Sequence, residues 1–379
     1  NNNNIVLGGT QDNGHHVKYT NTSAFRWSLT CCDGMDNAIN PDNPGIIYMS
    51  SQRGGLNRSV DSGKTWTAIR TNTSSWVAPI LLHSTTPTTI FKAENSGIWR
   101  STNSGIDGWV NLGTDGRGAI AQGVSNTNRF FAAGDNGTLL SRSNNINAAA
   151  ASVIWTTVSG NTGWPSNADL AGTIITAIAV NPANADDVWV TLSGYRDGIK
   201  VLRSTNGGDT WSNISGSLPN MPVHTIKVRS MGGGNWEAYI GTDIGVFMRT
   251  NAFGWTYFSN SLPRVMVTDI ELTDTHIFAG TYGRGIWRSA LYANCLTSAN
   301  YASTYSGERV FQASETITAT ITVTNNAGSN VWMQAGNYVQ LNPGFHAQAG
   351  GIFTAKTSPC GPVLLPNVVP VTPKKEEED

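Results

Sequence analysis

One short pattern recurs along the chain and limits what it can fold into. It runs from a strand-like stretch ending in Arg-Ser, through a polar turn, to a Trp. The clearest copy is residues 59–66, Ser-Val-Asp-Ser-Gly-Lys-Thr-Trp, preceded by strand-like runs at 46–50 and 54–59. A second is residues 204–211, Ser-Thr-Asn-Gly-Gly-Asp-Thr-Trp, after runs at 188–191 and 200–204. Residues 97–101 lead through 103–105 to Trp109, one residue late, and weaker copies join 140–143 to Trp155 and 246–250 to Trp255. The last begins at 278–281 and ends at 285–289. The turn chemistry explains these residues. Asp or Asn accepts backbone N–H bonds inside its own turn, and Gly takes the positive-φ position that a side chain would strain. Trp opens the next strand and packs between sheets. A strand–turn unit returning at a spacing of roughly 40–50 residues is the mark of a repeat fold, in which each unit buries its face on the next.

Composition agrees with many short strands joined by tight turns. Of 379 residues, 41 are Gly and 13 Trp, and only 13% are charged, against roughly 25% in ordinary soluble domains. No long amphipathic helix is evident. The net charge of −1 comes without a basic stripe, which excludes nucleic acid as the main partner because phosphate binding needs clustered Lys and Arg. No apolar run approaches the roughly 20 residues of a membrane span. The chain opens Asn1-Asn2-Asn3-Asn4 without a Met or a visible signal peptide, so an upstream segment is expected.

The full pattern Ser-x-Asp-x-Gly-x-Thr-Trp is the Asp box, with Ser59, Asp61, Gly63 and Trp66 in one turn and Ser204, Asn206, Gly208 and Trp211 in another. Residues 8–14 (Gly-Gly-Thr-Gln-Asp-Asn-Gly), 241–247 and 280–287 extend the likeness. Over about residues 1–292 the chain resembles the Asp-box, or BNR-like, propellers related to sortilin and the xyloglucanases. The resemblance implies an all-β fold. Counting repeats gives an Asp-box β-propeller of about seven blades, beginning near residues 5, 36, 77, 119, 174, 223 and 267. The first blade is expected to lack its innermost strand and the last its outermost. In the xyloglucanase-like relatives two propellers lie in tandem, so the expected upstream part extends to a whole second propeller.

Residues 293–360 differ: charge nearly vanishes and short alternating strands appear at 316–319, 321–324 and 331–335. Their spacing predicts a small β-coil module. It resembles one near the C-terminus of bacterial surface and secreted proteins, with Leu-Asn-Pro-Gly-Phe-His-Ala at 341–347, and implies export, type IX secretion included. Cys295 and Cys360 bracket it and read as its closing disulfide, while Cys31-Cys32 reads as a vicinal pair of buried thiols or a strained ring. Residues 361–379 form a Pro- and Val-rich extension with a charged end, read as an extended tail.

Two functions compete. The first is a non-catalytic, secreted or cell-surface binding or structural protein, an adhesin, scaffold or assembly subunit whose partner is a protein or glycan. Its candidate ligand contacts are Trp76, Trp164, Tyr195, Trp236 and Tyr282, placed in or beside predicted loops where rings can stack on sugars or pack between blades. The second is a glycoside hydrolase, or part of one, acting on a β-glucan-type polysaccharide. That chemistry needs two facing carboxylates, for which Asp12 and Asp36 are the candidates. In xyloglucanases the acids face each other across two propellers, and one is present here. No sialidase-like Tyr–Glu pair, phosphate loop or nucleophile elbow is found. No cofactor is implied with certainty. Ca2+ is the ion whose oxygen-ligand chemistry fits Asp33 and Asp36, and turn fixing by the same residues is the competing reading. His15-His16 reads as a strand-edge pair.

Overall fold

A computed structural model describes residues 5–19, 26–29, 32–71, 73–258, 262–274, 276–292, 296–305, 308–324 and 329–357. Strands dominate. The helical pieces among the described residues are two short 3-10 turns, Gln52–Gly54 and Ala150–Ser152.

From Ile5 to Ala290 the strands run up and down in consecutive antiparallel sheets, each strand beside its sequence neighbour. The first sheet is Ile5–Thr10, Gly14–Tyr19 and Arg26–Leu29. The second is Gly34–Ile39, Ile47–Ser51, Leu56–Ser59 and Thr67–Arg70, and the third Ile80–Leu82, Ile90–Glu94, Gly97–Ser101 and Val110–Asn111. Ala119–Gln122, Phe130–Ala133, Leu140–Ser143 and Trp155–Thr157 make the fourth. Ile175–Asn181, Asn184–Leu192, Val201–Ser204 and Ser212–Asn213 make the fifth. The sixth is Val223–Gly232, Asn235–Thr242, Gly245–Thr250 and Thr256–Tyr257, and the last Val267–Leu272, His276–Thr281 and Gly285–Ala290. The apolar core is divided into seams between consecutive sheets. Phe131, Val190 and Trp211 fill the one between the fourth and fifth, and Trp189, Ile240 and Trp255 the next. The molecule is a β-propeller. Five sheets are complete four-stranded blades, and the three-stranded sheets at the two ends add at least a sixth.

The strand missing from each end sheet follows from shared turn geometry. Thr242 and Thr281, at the turns between second and third strands, donate their hydroxyls to Gly245 and Gly285 carbonyls at 2.8 and 2.6 Å. Thr10 does the same to Gly14 at 3.1 Å. A Cβ on Gly241 would lie 2.6 Å from the Val267 carbonyl of the next sheet, and one on Gly9 would lie 2.4 Å from that of Met35. Ile5–Thr10 therefore stands at a second-strand station, and among the described residues the innermost station of that sheet holds no strand. Among the described residues the last sheet has no fourth strand. The two end sheets meet: a Cβ on Gly8 would lie 3.4 Å from Ile286 Cδ1.

The recurring turn is built as its residues require. Ser59 Oγ donates to Asp61 Oδ1 and accepts the Gly63 N–H at 2.8 Å, while Asp61 Oδ1 accepts the N–H groups of Lys64 and Thr65. Ser204 and Asn206 repeat this, accepting the N–H groups of Gly208 and Thr210 at 2.8 and 2.9 Å. The Trp after the turn ties its sheet to the one before. Trp155, Trp211 and Trp255 donate Nε1–H to the carbonyls of Leu112, Val158 and Ile214, each just past the preceding sheet's fourth strand. Trp66 packs against the seam of Val17, Ile47 and Met49 between the first two sheets.

Residues 296–357 adopt parallel pairing. Glu308 pairs with Asn330 and Asn330 with Ile352, an advance of 22 residues at each of these steps. Ile317, Ile321, Val323, Val331 and Met333 are buried between the coils. Cys295 and Cys360, the expected closing pair, lie outside the described residues, as does Cys31; Cys32 is exposed with φ 71°.

Candidate functional site

In an up-and-down blade, the turns between second and third strands share one end with the connections from fourth to first. The Ser-x-Asp turns lie at the opposite end. The shared end gathers Asp12, Asp33, Arg53, Trp76, Tyr195, Asp243 and Tyr282. Trp76, Tyr195 and Tyr282 are 47, 60 and 71% exposed there. The other two expected contacts are covered by packing to different degrees. Trp236 is 6% exposed, with its ring 4.7 Å from Trp189 and the Arg203 guanidinium 4.6 Å from its face. Trp164 is half-buried, edge-on to Trp211 at 4.9 Å. Both rings fill seams between sheets.

Tyr195 belongs to a polar group centred on Asp243, whose other members, His224 and Lys200, the sequence did not mark. Its hydroxyl donates to Asp243 Oδ2 at 3.0 Å, and His224 Nε2 lies 2.7 Å from Asp243 Oδ1. The bond to Asp243 pushes the Tyr195 phenol above its ordinary value, with burial adding to it. Beneath them Lys200 is fully buried and donates to the Gly194 carbonyl at 2.8 Å. Burial lowers its ammonium to about 8, against the pull of Asp197 and Asp243. The group orients a phenol at the rim. Around the ring, a cleft of ≈ 470 Å³ is lined by Arg53, Thr73, Ser74, Trp76 and Asn95.

Of the acids singled out in sequence, Asp33 and Asp36 use their carboxylates on backbone N–H groups, whereas Asp12 contributes its backbone N–H. Asp12 is exposed with φ 62°, and its N–H donates to Asp33 Oδ1 at 2.6 Å. Asp33 is 8% exposed, and its own N–H donates to Gln52 Oε1. Asp36, on the first strand of the second sheet, accepts the N–H of Asn37 on Oδ1 and that of Ile80 on Oδ2, at 2.8 and 2.9 Å. Asp33 and Asp36 anchor a connection and a strand, and among the described residues no three His, Cys, Asp or Glu side chains group to hold a metal. His15 is not an edge residue: it is fully buried, with Nε2 2.8 Å from the Ser50 carbonyl, and burial lowers its pKa.

Asp36 also faces the central channel, where first strands of other sheets bring Lys227, Asp269 and Glu271. Lys227 Nζ lies 2.6 Å from Glu271 Oε1. Their side chains keep 38 and 62% of their accessibility, so the channel is aqueous. Desolvation by the surrounding walls still raises Asp36 to about 6, and raises Asp269 with the help of Glu271. Lys227 is raised because Glu271, Asp269 and Asp36 outweigh its desolvation. Nothing in the local sequence of any one strand marks this group, since its members are 233 residues apart between Asp36 and Asp269 (269 − 36).

No protein-family profile matches the chain, and no characterised protein matches it by sequence. Solved structures match it by fold. An ancestral GH74 enzyme is similar over 76% of this chain and 43% of its own, at 15% identity and TM-score 0.57. The chain thus spans less than half of that enzyme. YCF48 bound to a D1 peptide is similar over 77% of this chain and 96% of its own, at 13% identity and TM-score 0.51. At these identities the likeness establishes the propeller and leaves function to the site. Among the described residues no helix is long and apolar enough to cross a membrane.

Proposed function

We propose that this protein is a secreted or cell-surface binding propeller without catalytic activity, of the Asp-box kind and with about seven blades, which holds a protein or glycan partner on the end carrying Trp76, Tyr195 and Tyr282. The exposed aromatic side chains at that one end carry the reading, because rings left in water beside fixed polar groups are what sugar faces and peptide side chains pack on. Two of the candidate acids support it from the other side: the Asp33 carboxylate accepts the Asp12 N–H of a neighbouring turn, and Asp36 accepts two backbone N–H groups. Seven blades is the count in which both three-stranded end sheets are separate members of one ring, and the approach of Gly8 to Ile286 supports it. Residues 293–360 serve as an appended attachment module.

The test is a glycan array and a peptide library probed with the wild type and with the Tyr195→Ala, Tyr282→Ala double variant. Loss of the captured ligand class by the variant, at unchanged thermal stability, is the expected result. The alternative, hydrolysis of a β-glucan-type polysaccharide, is favoured by one observation, the raised pKa of Asp36 beside Asp269 and Glu271. Turnover of a β-glucan that disappears in Asp36→Asn would replace the binding reading with the enzymatic one.

A further inference from the structure

We infer that the cleft between the second and third sheets is a binding site for a carboxylate-bearing sugar, a uronic acid within an acidic oligosaccharide; the inference rests on reading this end of the propeller as a binding face. Its cation is Arg53. Six other arginines, at 70, 100, 117, 129, 142 and 203, are bonded to carboxylates or carbonyls. The Arg53 guanidinium makes no hydrogen bond or ion pair with any described residue and lines the cleft. On the Asn95 side of the cleft the charges are already matched: Glu94 by Arg70 and Lys92, and Arg117 by Asp115 and Asp135. One uncompensated positive charge is therefore left at the mouth.

The cleft is held open in this shape. Arg53 has φ 59° and ψ 20°, the left-handed region that disfavours a side chain. The opposite wall keeps it there, since the Arg53 N–H donates to the Trp76 carbonyl at 3.1 Å and the Ser74 N–H donates to the Arg53 carbonyl at 2.9 Å. Asn95 fixes that wall in turn, its N–H donating to the Thr73 carbonyl at 3.0 Å. The guanidinium and the indole thus leave two chain segments that are bonded to each other, and little freedom remains to be lost on binding. The Ser74 hydroxyl is buried without a partner, a donor and acceptor left for a ligand.

The chemistry of the walls selects the ligand. A carboxylate takes two parallel N–H bonds from a guanidinium. A flat indole, 47% exposed, offers a stacking surface for the C–H face of a pyranose. Hydroxyl and amide side chains, Thr73, Ser74 and Asn95, suit sugar hydroxyls. The ≈ 470 Å³ volume lies in the range of small-ligand pockets. An acidic peptide would engage the single cation but has no ring face for Trp76.

Titration calorimetry with trigalacturonate, neutral cellotriose and hexaglutamate tests this. Trigalacturonate is expected to bind at least about tenfold more tightly than cellotriose, with affinity falling as salt rises. Arg53→Gln and Trp76→Ala should each weaken it at least about tenfold. Arg53→Gly, which relieves the left-handed backbone and keeps the fold, should weaken it equally. No binding of trigalacturonate, binding indifferent to all three substitutions, equal affinity for cellotriose, or binding of hexaglutamate alone would each overturn the assignment. If the assignment fails while the Tyr195 and Tyr282 substitutions still abolish capture of another ligand, the binding-face reading stands without this cleft.

Discussion

At the scale of single residues, the Ser and Asp of the recurring turn act as a unit. Ser59 is 1% exposed, and its hydroxyl accepts the Gly63 N–H. Ser59→Ala leaves that donor buried and unpaired, as Ser204→Ala leaves Gly208, and each is expected to cost about 1–3 kcal/mol in urea unfolding. The two turns should part in acid. The Thr65 hydroxyl and N–H, with the Ser59 hydroxyl, hold Asp61 well below the usual carboxylate range. A lowered native pKa stabilises above the unfolded value and is lost as pH falls through the native one. The Asp61 turn should therefore loosen only in strong acid, whereas Asn206 does not titrate. These turn residues were legible in sequence because their partners lie within four positions. Arg53 was not, because its special character is an absence of partners, and an absence depends on every neighbouring loop.

Among elements, the linkages between sheets decide which aromatic residues are structural. Trp211 is 5% exposed, and its Nε1 serves the Val158 carbonyl of the preceding sheet. Trp211→Phe should cost about 1–2 kcal/mol for the unpaired carbonyl, and Trp211→Ala about 3–5 kcal/mol for the cavity as well. Trp76→Ala, at an exposed rim, should stay within about 0.5 kcal/mol of wild type. Thermal or urea unfolding of the three variants separates the classes; a Trp76→Ala loss as large as that of Trp211→Ala would place Trp76 in the frame of the fold. In sequence, Trp76, Trp164 and Trp236 look alike, each beside a predicted loop. What divides them is whether the neighbouring sheet stands close enough to cover the ring, as Trp189 does for Trp236, and this depends on blade geometry. The Arg of each Arg-Ser pair is another case. Its recurrence was visible, but its role was not: Arg100 and Arg142 reach across to the polar turn of the following sheet, bonding the Ile146 and Gly207 carbonyls at 2.6 and 2.8 Å.

On the scale of the whole molecule, the ring brings together charges that no local pattern reveals. Asp36 lies on the second sheet, Lys227 on the sixth, and Asp269 and Glu271 on the last. Three carboxylates face one ammonium across the aqueous channel, so folding concentrates negative charge that the unfolded chain disperses. Desolvation raises Asp36 to about 6, above the roughly 3.9 of an unfolded aspartate. A raised acid contributes its full stability below the unfolded value and loses it as pH climbs through the native one. From pH 4 to pH 6 the propeller should therefore lose on the order of 2 kcal/mol through this group alone, less than the full two-unit figure because the channel admits water. Asp36→Asn removes the titration and should flatten this part of the profile. Lys227→Met removes the sole cation of the group and should steepen it, destabilising the protein more at pH 7.5 than at pH 4.5. Urea midpoints of the three proteins at pH 4.5, 6 and 7.5 check the ordering. Parallel profiles for all three would mean that the channel charges are independently solvated and that the ring does not couple them.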